Sequence, residues 1–131
     1  MNNHVIIYVR SSAASRAMEE LQRQEYAVRG YLSEVAIDHS EAIVISDVAV
    51  GTRIDRIGLV ELTRLADQHC IGVLAIEQLS RLSRLYNGLA AAVLVLQYGG
   101  RVIGVRDQEE VDKALLAAAK LFGQSENKRN K

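Results

Sequence analysis

Arginine and hydroxyl side chains cluster at three places along this chain, and each cluster follows a short apolar run. Arg10, Ser11 and Ser12 come after the first run; Asp47, Gly51, Arg53, Asp55 and Arg56 after the second; Glu77, Ser80, Arg81, Ser83 and Arg84 after the third. Arg106 and Asp107 follow a fourth run. The planar guanidinium donates two parallel hydrogen bonds to an oxyanion, so arginines in this number suit phosphate. They could also stabilise the charge of a pentavalent phosphoryl transition state. A serine held among them could attack phosphorus and form a covalent phosphoester. His4 opens a strand, His39 lies in a connection and His69 ends a helix, so none of these loops contains a histidine. A Ser-His-Asp hydrolase is disfavoured, and activation of serine would fall to arginine or a carboxylate. Asp47, Asp55 and Asp107 could bind magnesium, but the neighbouring arginines would repel a cation, so no metal is expected. The plainer alternative is a solvated arginine rim with salt bridges to Asp47, Asp55 and Glu77.

The elements that must position these groups alternate in type. Strands are expected at His4 to Val9, Ala42 to Ser46, Ile71 to Ile76 and Arg101 to Val105, each β-branched and apolar. Helices are expected at Ala17 to Val35, Gly58 to His69, Arg84 to Tyr98 and Glu110 to about Lys128. In the first helix Met18, Leu21, Tyr26, Val28, Tyr31 and Leu32 would form the apolar face, and Gly99-Gly100 would stop the third. The alternation implies an α/β domain of three layers, with a mostly parallel sheet of four or more strands flanked by helices, plus a C-terminal helix. Ligands of such sheets bind beyond the carboxyl ends of the strands, where the arginines fall.

Composition narrows the classes further. Hydrophobic residues make up 49% and charged residues 24%, as in a soluble globular domain, and 131 residues suit one core. No apolar run approaches the ~18 residues of a membrane span, and the N-terminus lacks the pattern of a secretory signal, so a cytoplasmic setting is expected. The single cysteine, Cys70, excludes an intramolecular disulfide and reads as a buried apolar residue. The net charge of zero means that any nucleic-acid contact must come from a local arginine cluster. Aromatics are 5% with no tryptophan, which argues against a stacking platform for single strands. No glycine-rich phosphate loop follows the first strand, which disfavours a dinucleotide site or P-loop.

At the same residues the sequence resembles the serine recombinase family: resolvases, DNA invertases, and phage or transposon integrases. Tyr8-Val9-Arg10-Ser11-Ser12 is similar to the family's Y-x-R-x-S. Asp47-Val48-Ala49-Val50-Gly51 with Asp55-Arg56 resembles D-x-x-S-G followed by its D/R pair. Leu79-Ser80-Arg81-Leu82-Ser83-Arg84 resembles L-D-R-L-S-R, and Gln24 matches a glutamine on the first helix of many members. The likeness runs from about residue 4 to 129. Departures are Val50 for the serine of S-G, Ser80 for aspartate, Ser15-Arg16 in place of a glutamine-bearing loop, and a short Gln108–Glu110 segment.

The resemblance implies Ser12, not Ser11, as nucleophile on a backbone phosphate of double-stranded DNA. The reaction would give a 5′-phosphoserine link with no cofactor, metal or ATP. It implies catalytic roles for Arg10, Arg56, Arg81 and Arg84 and supporting roles for Tyr8, Asp47, Gln24 and Ser80. It also implies self-association to a dimer and a synaptic tetramer. Residues 1–109 would be the catalytic domain and 110–131 the start of an interface helix, cut short, with no DNA-binding domain. The exposed apolar face expected on that helix is Leu115, Leu116, Ala119 and Phe122. The alternative reading is a catalytically impaired, DNA-associated or regulatory domain of the same fold.

Overall fold

The computed structural model of the chain describes residues 3–50, 53, 56–83 and 85–129. Four strands, β1 (His4–Ser11), β2 (Ile43–Val48), β3 (Ile71–Ile76) and β4 (Arg101–Gly104), form one sheet in the order β2-β1-β3-β4. All three pairings are parallel. Parallel neighbours need crossovers, and helices supply them: α1 (Ala17–Glu34), α2 (Ile57–Asp67), the short α3 (Leu79–Leu82) with α4 (Ala90–Gln97), and α5 (Gln108–Arg129) after the last strand. The expected three-layer α/β architecture is therefore present.

Strand alternation divides the core in two. Ile6 and Tyr8 of β1 face the cluster built with Leu59 and Leu62 of α2, Ala92 and Val95 of α4, and Val111 and Leu115 of α5. Ile7 and Val9 face the other way, onto Val28 and Leu32 of α1. The central strands β1 and β3 are thus covered on both faces, which explains their continuous apolar sequences.

Helix faces differ in detail from the sequence expectation. Met18 and Tyr26 are 70% and 72% exposed, and Gln24 occupies the buried stripe of α1 with Val28 and Leu32. Positions 21, 24, 28 and 32 keep i, i+3, i+4 spacing, and a polar residue in that series is buried because it has partners. The helix expected from Arg84 begins instead at Ala90, after a single 3-10 turn at Tyr86–Leu89. Ser83 breaks it. Its backbone is extended (φ −167°, ψ 152°), and its hydroxyl donates to the Leu85 carbonyl at 2.9 Å while accepting from the Leu85 N–H at 3.0 Å. Gly99, at φ 86°, ends α4 in the left-handed conformation that the paired glycines suggested. Cys70 is half-buried rather than buried.

The last helix starts two residues before the expected Glu110. Gln108 holds the end of β4, accepting from the Gly104 N–H at 2.9 Å and donating to the Val102 carbonyl at 3.1 Å. Its apolar face is Val111, Leu115 and Ala118, all buried, with Ala119 and Phe122 packed beside them. Leu116, grouped with Leu115 on sequence, is 61% exposed because one residue turns the helix by about 100°. Most of the face expected to be open is therefore spent on the domain's own core. Leu115→Ala is expected to destabilise the domain by about 3 kcal/mol and Leu116→Ala by less than about 0.5 kcal/mol, read from denaturant unfolding midpoints.

Candidate active site

The carboxyl ends of β1, β2 and β3 are joined by one side chain. Arg10 is 1% exposed, and its guanidinium donates from Nη1 to the Ala49 carbonyl at 2.7 Å, from Nη2 to the Ser80 carbonyl at 2.8 Å and from Nε to the Arg81 carbonyl at 3.1 Å. Its backbone is fixed from the opposite face. Gln24 Oε1 accepts from the Arg10 N–H at 3.1 Å, and Gln24 Nε2 donates to the Arg10 carbonyl at 2.8 Å. That two-way pairing explains a fully buried glutamine. The two serines after Arg10 then differ. Ser11 is 2% exposed and its hydroxyl turns back on Ala13, whereas Ser12, just past the strand end, is exposed and makes no hydrogen bond among the described residues.

A second group lies under the β2–α2 connection. The Tyr8 hydroxyl donates to Asp47 Oδ2 at 2.6 Å, and the same carboxylate accepts the N–H groups of Gly58 (2.7 Å) and Leu59 (2.9 Å). Asp47 thus caps the first turn of α2, where the helix dipole favours a negative charge. It orients Tyr8 and α2 rather than an arginine. A Cβ on Gly58 would lie 2.6 Å from Asp47 Oδ2, so only glycine admits the carboxylate this close. Burial and the hydrogen bond to Asp47 push the Tyr8 phenol well above its ordinary value, so it remains a neutral donor. Arg56 precedes α2, is 3% exposed and lies over the Tyr8 ring at 5.8 Å. It donates to the Leu82 carbonyl, while its Nε and Nη1 are buried without a hydrogen-bond partner among the described residues.

The third group centres on Glu77, 1% exposed at the end of β3. Arg23 of α1 donates to both of its oxygens, at 2.5 and 3.1 Å. Arg81 Nε lies 3.5 Å away and Arg106 Nη1 3.8 Å away. Burial by itself would raise the Glu77 carboxyl, but the Arg23 hydrogen bonds and the charges of Arg23, Arg81 and Arg106 hold it below the ordinary carboxylate value. Glu20, on the next turn of α1, pairs with Arg23 at 3.3 Å and with Arg81 at 3.7 Å.

Tyr8, Arg10, Gln24, Asp47, Arg56, Ser80 and Arg81 thus meet at one edge of the sheet, with Ser12 exposed beside Arg10 in sequence. Arg84, Gly51 and Asp55 lie outside the described residues. Asp107 accepts the Leu79 N–H at 3.0 and 3.2 Å. Among the described residues no group of His, Cys, Asp or Glu is arranged to hold a metal ion. Sequence reasoning missed Arg23 and Glu20. Both lie one helical turn or less from Gln24 on α1, but nothing in their spacing signals a partner on β3.

Because the Glu77 carboxyl is lower in the folded than in the unfolded state, its contribution is complete above the unfolded value of about 4.3 and fades as pH falls through the folded one. Glu77→Gln is expected to cost about 2–3 kcal/mol at pH 7 and to flatten the loss of stability below about pH 4.5, in urea titrations across pH. A variant with unchanged acid sensitivity would contradict this.

Comparison with known proteins agrees with the geometry. The family model for the resolvase N-terminal domain matches residues 5–130. The catalytic domain of ISC1926 TnpA, an IS607-like serine recombinase, shares 26% identity at a TM-score of 0.67, over 84% of this chain and 76% of that one. The N-terminal catalytic domain of TP901-1 integrase shares the fold at 15% identity, with a TM-score of 0.68 over 98% of both chains. A serine recombinase from Sulfolobus solfataricus superposes with a TM-score of 0.62 at 19% identity, over 98% of this chain and 89% of that one. No curated protein matches the chain. With Tyr8, Arg10, Arg56 and Arg81 gathered at the carboxyl edge of a wholly parallel sheet, and the family match spanning nearly every residue, this chain belongs to the resolvase N-terminal domain family and has the catalytic-domain fold of serine recombinases.

Proposed function

We propose that the chain cuts and rejoins double-stranded DNA through a 5′-phosphoserine intermediate. The observation that carries this reading is Arg10. It ties the segments that follow β2 and β3 to the end of β1, two residues before an exposed serine, which supports a phosphodiester at Ser12 lying near the arginine-bearing loops. In the forward step the Ser12 Oγ–P bond forms and the P–O3′ bond breaks. The serine proton leaves to a neighbouring base or water, and the departing 3′ oxygen takes up a proton to become a hydroxyl. The ester conserves the bond energy, so attack by a 3′ hydroxyl reverses the step and rejoins the strand without ATP.

Arg81, Arg84 and Arg10 would hold the phosphate, and Arg56 would add charge once its segment shifts, since it is buried in this arrangement. Its Nε and Nη1, without a hydrogen-bond partner among the described residues, suit an incoming oxyanion. Tyr8, Asp47, Gln24 and Ser80 support that frame. Exchange between two duplexes would require a dimer and then a tetramer, acting in the cytoplasm. No helix among the described residues is long and apolar enough to cross a membrane.

One observation favours the second reading, a catalytically impaired domain that only associates with DNA. Arg10 is committed to backbone carbonyls and Arg81 faces carboxylates rather than open solvent. The two readings separate in a trapping experiment. The chain is joined to a DNA-binding module of known target and incubated with duplexes randomised between two such targets. Covalent adducts are then recovered under denaturing conditions. An adduct on Ser12 is expected, lost on the order of 1000-fold or more in Ser12→Ala and retained in Ser11→Ala. Arg81→Ala is expected to slow its formation on the order of 100-fold. An adduct mapped to Ser11, or none with duplex bound, would overturn the proposal.

A further inference from the structure

We infer that Glu20 is an internal substitute for the DNA phosphate on Arg81, displaced when DNA arrives, while Glu77 is a fixed positioning residue that aims the same guanidinium. This rests on the reading of Arg81 as a phosphate ligand.

Three guanidinium groups, of Arg23, Arg81 and Arg106, surround two carboxylates, Glu77 and Glu20, leaving the cluster one negative charge short. Arg106, 63% exposed, is solvated, whereas Arg81 faces both carboxylates from a mostly buried position. Its backbone is anchored, because its carbonyl accepts from Arg10 Nε at 3.1 Å and its N–H donates to the Gln78 carbonyl at 3.0 Å. Its head is not anchored in the same way. The side chain is 21% exposed, ion-paired at 3.5 and 3.7 Å, and Nε is buried with no hydrogen-bond partner among the described residues. A largely desolvated guanidinium held by Coulomb attraction alone gains when an oxyanion offers it real hydrogen bonds.

The two carboxylates differ in how readily they give way. Glu77 is 1% exposed, takes both hydrogen bonds from Arg23, and directly follows β3, with its carbonyl accepting the Arg106 N–H at 2.9 Å. It has nowhere to go. Glu20 is 38% exposed on the first turns of α1, with contacts of only 3.3 and 3.7 Å. The Glu20 carboxylate is open to water and its contact with Arg81 is long, so a phosphate can replace it at small cost. Arg23, bonded to Glu77 and touching Glu20, keeps the fixed carboxylate in place during the exchange.

Binding of a fluorescent mixed-sequence duplex, measured at low salt with the full chain, tests this. Glu20→Gln is expected to tighten binding about fivefold, while Glu19→Gln, an exposed neighbour carrying the same charge, changes it less than about twofold. In an Arg81→Ala background the Glu20→Gln gain is expected to disappear. The Arg81 Nε–H resonance is expected to shift on duplex addition while that of Arg23 stays. An equal gain in Glu19→Gln, a gain that survives Arg81→Ala, or no duplex binding by any variant would overturn the inference. The cycle reads binding alone and needs no cleavage, so failure to trap a Ser12 adduct leaves its result intact.

Discussion

One buried guanidinium organises the working end of this domain. Arg10 closes β1 with its charge out of water, and the three carbonyls it reaches belong to segments far apart in sequence: Ala49 after β2, and Ser80 and Arg81 in α3. A buried cation without such partners would be prohibitively costly, so the loops are obliged to converge on it. Gln24 makes the arrangement rigid from the other face by pairing with both backbone groups of Arg10. The position of Ser12 follows, because the chain leaves the strand from a residue held on every side.

Around that node, charge is arranged to hold loops rather than to fill a cleft. Asp47 ties Tyr8 to the first turn of α2, and Glu77 gathers arginines from α1, α3 and the end of β4. Both carboxylates are buried: Asp47 accepts from β1 and α2, and Glu77 accepts from Arg23 of α1 and faces the charges of Arg81 and Arg106. A chain with zero net charge can therefore present a local excess of guanidinium groups. Two of those groups, Arg56 and Arg81, retain buried nitrogens that lack hydrogen bonds among the described residues, which is where an added oxyanion gains most.

Two of the departures of this chain from its family pattern fall at backbone-mediated contacts. Ser80 stands where aspartate is common, yet what the node uses is its carbonyl, accepting from Arg10. Val50 replaces a serine, but the neighbouring Ala49 contributes its backbone oxygen. Side-chain substitution at such positions leaves the framework standing, because the hydrogen bonds run to groups that every residue carries.

How much of this was legible depends on the range of the interaction. The four strands, the parallel sheet and the edge at which arginines collect could be read from apolar runs and their order, since a β-branched run between helical segments has few other places to go. The exposed side of α5, the break at Ser83 and the burial of Gln24 could not. They depend on which backbone groups a side chain meets across the fold, and periodicity carries no record of that. The same holds for the two serines: their types marked candidate nucleophiles, but the end of strand pairing decided that Ser11 turns inward and Ser12 faces solvent. The Arg23–Glu77 pair joins residues 54 positions apart, and only the packing of α1 against the sheet brought them together. Sequence therefore determined which chemistry was available and at which edge, while tertiary structure decided which charges are neutralised within the domain and which are left for a ligand. Coulomb and hydrogen-bond partners are set by distance in space, and distance in space is fixed only once the chain has packed.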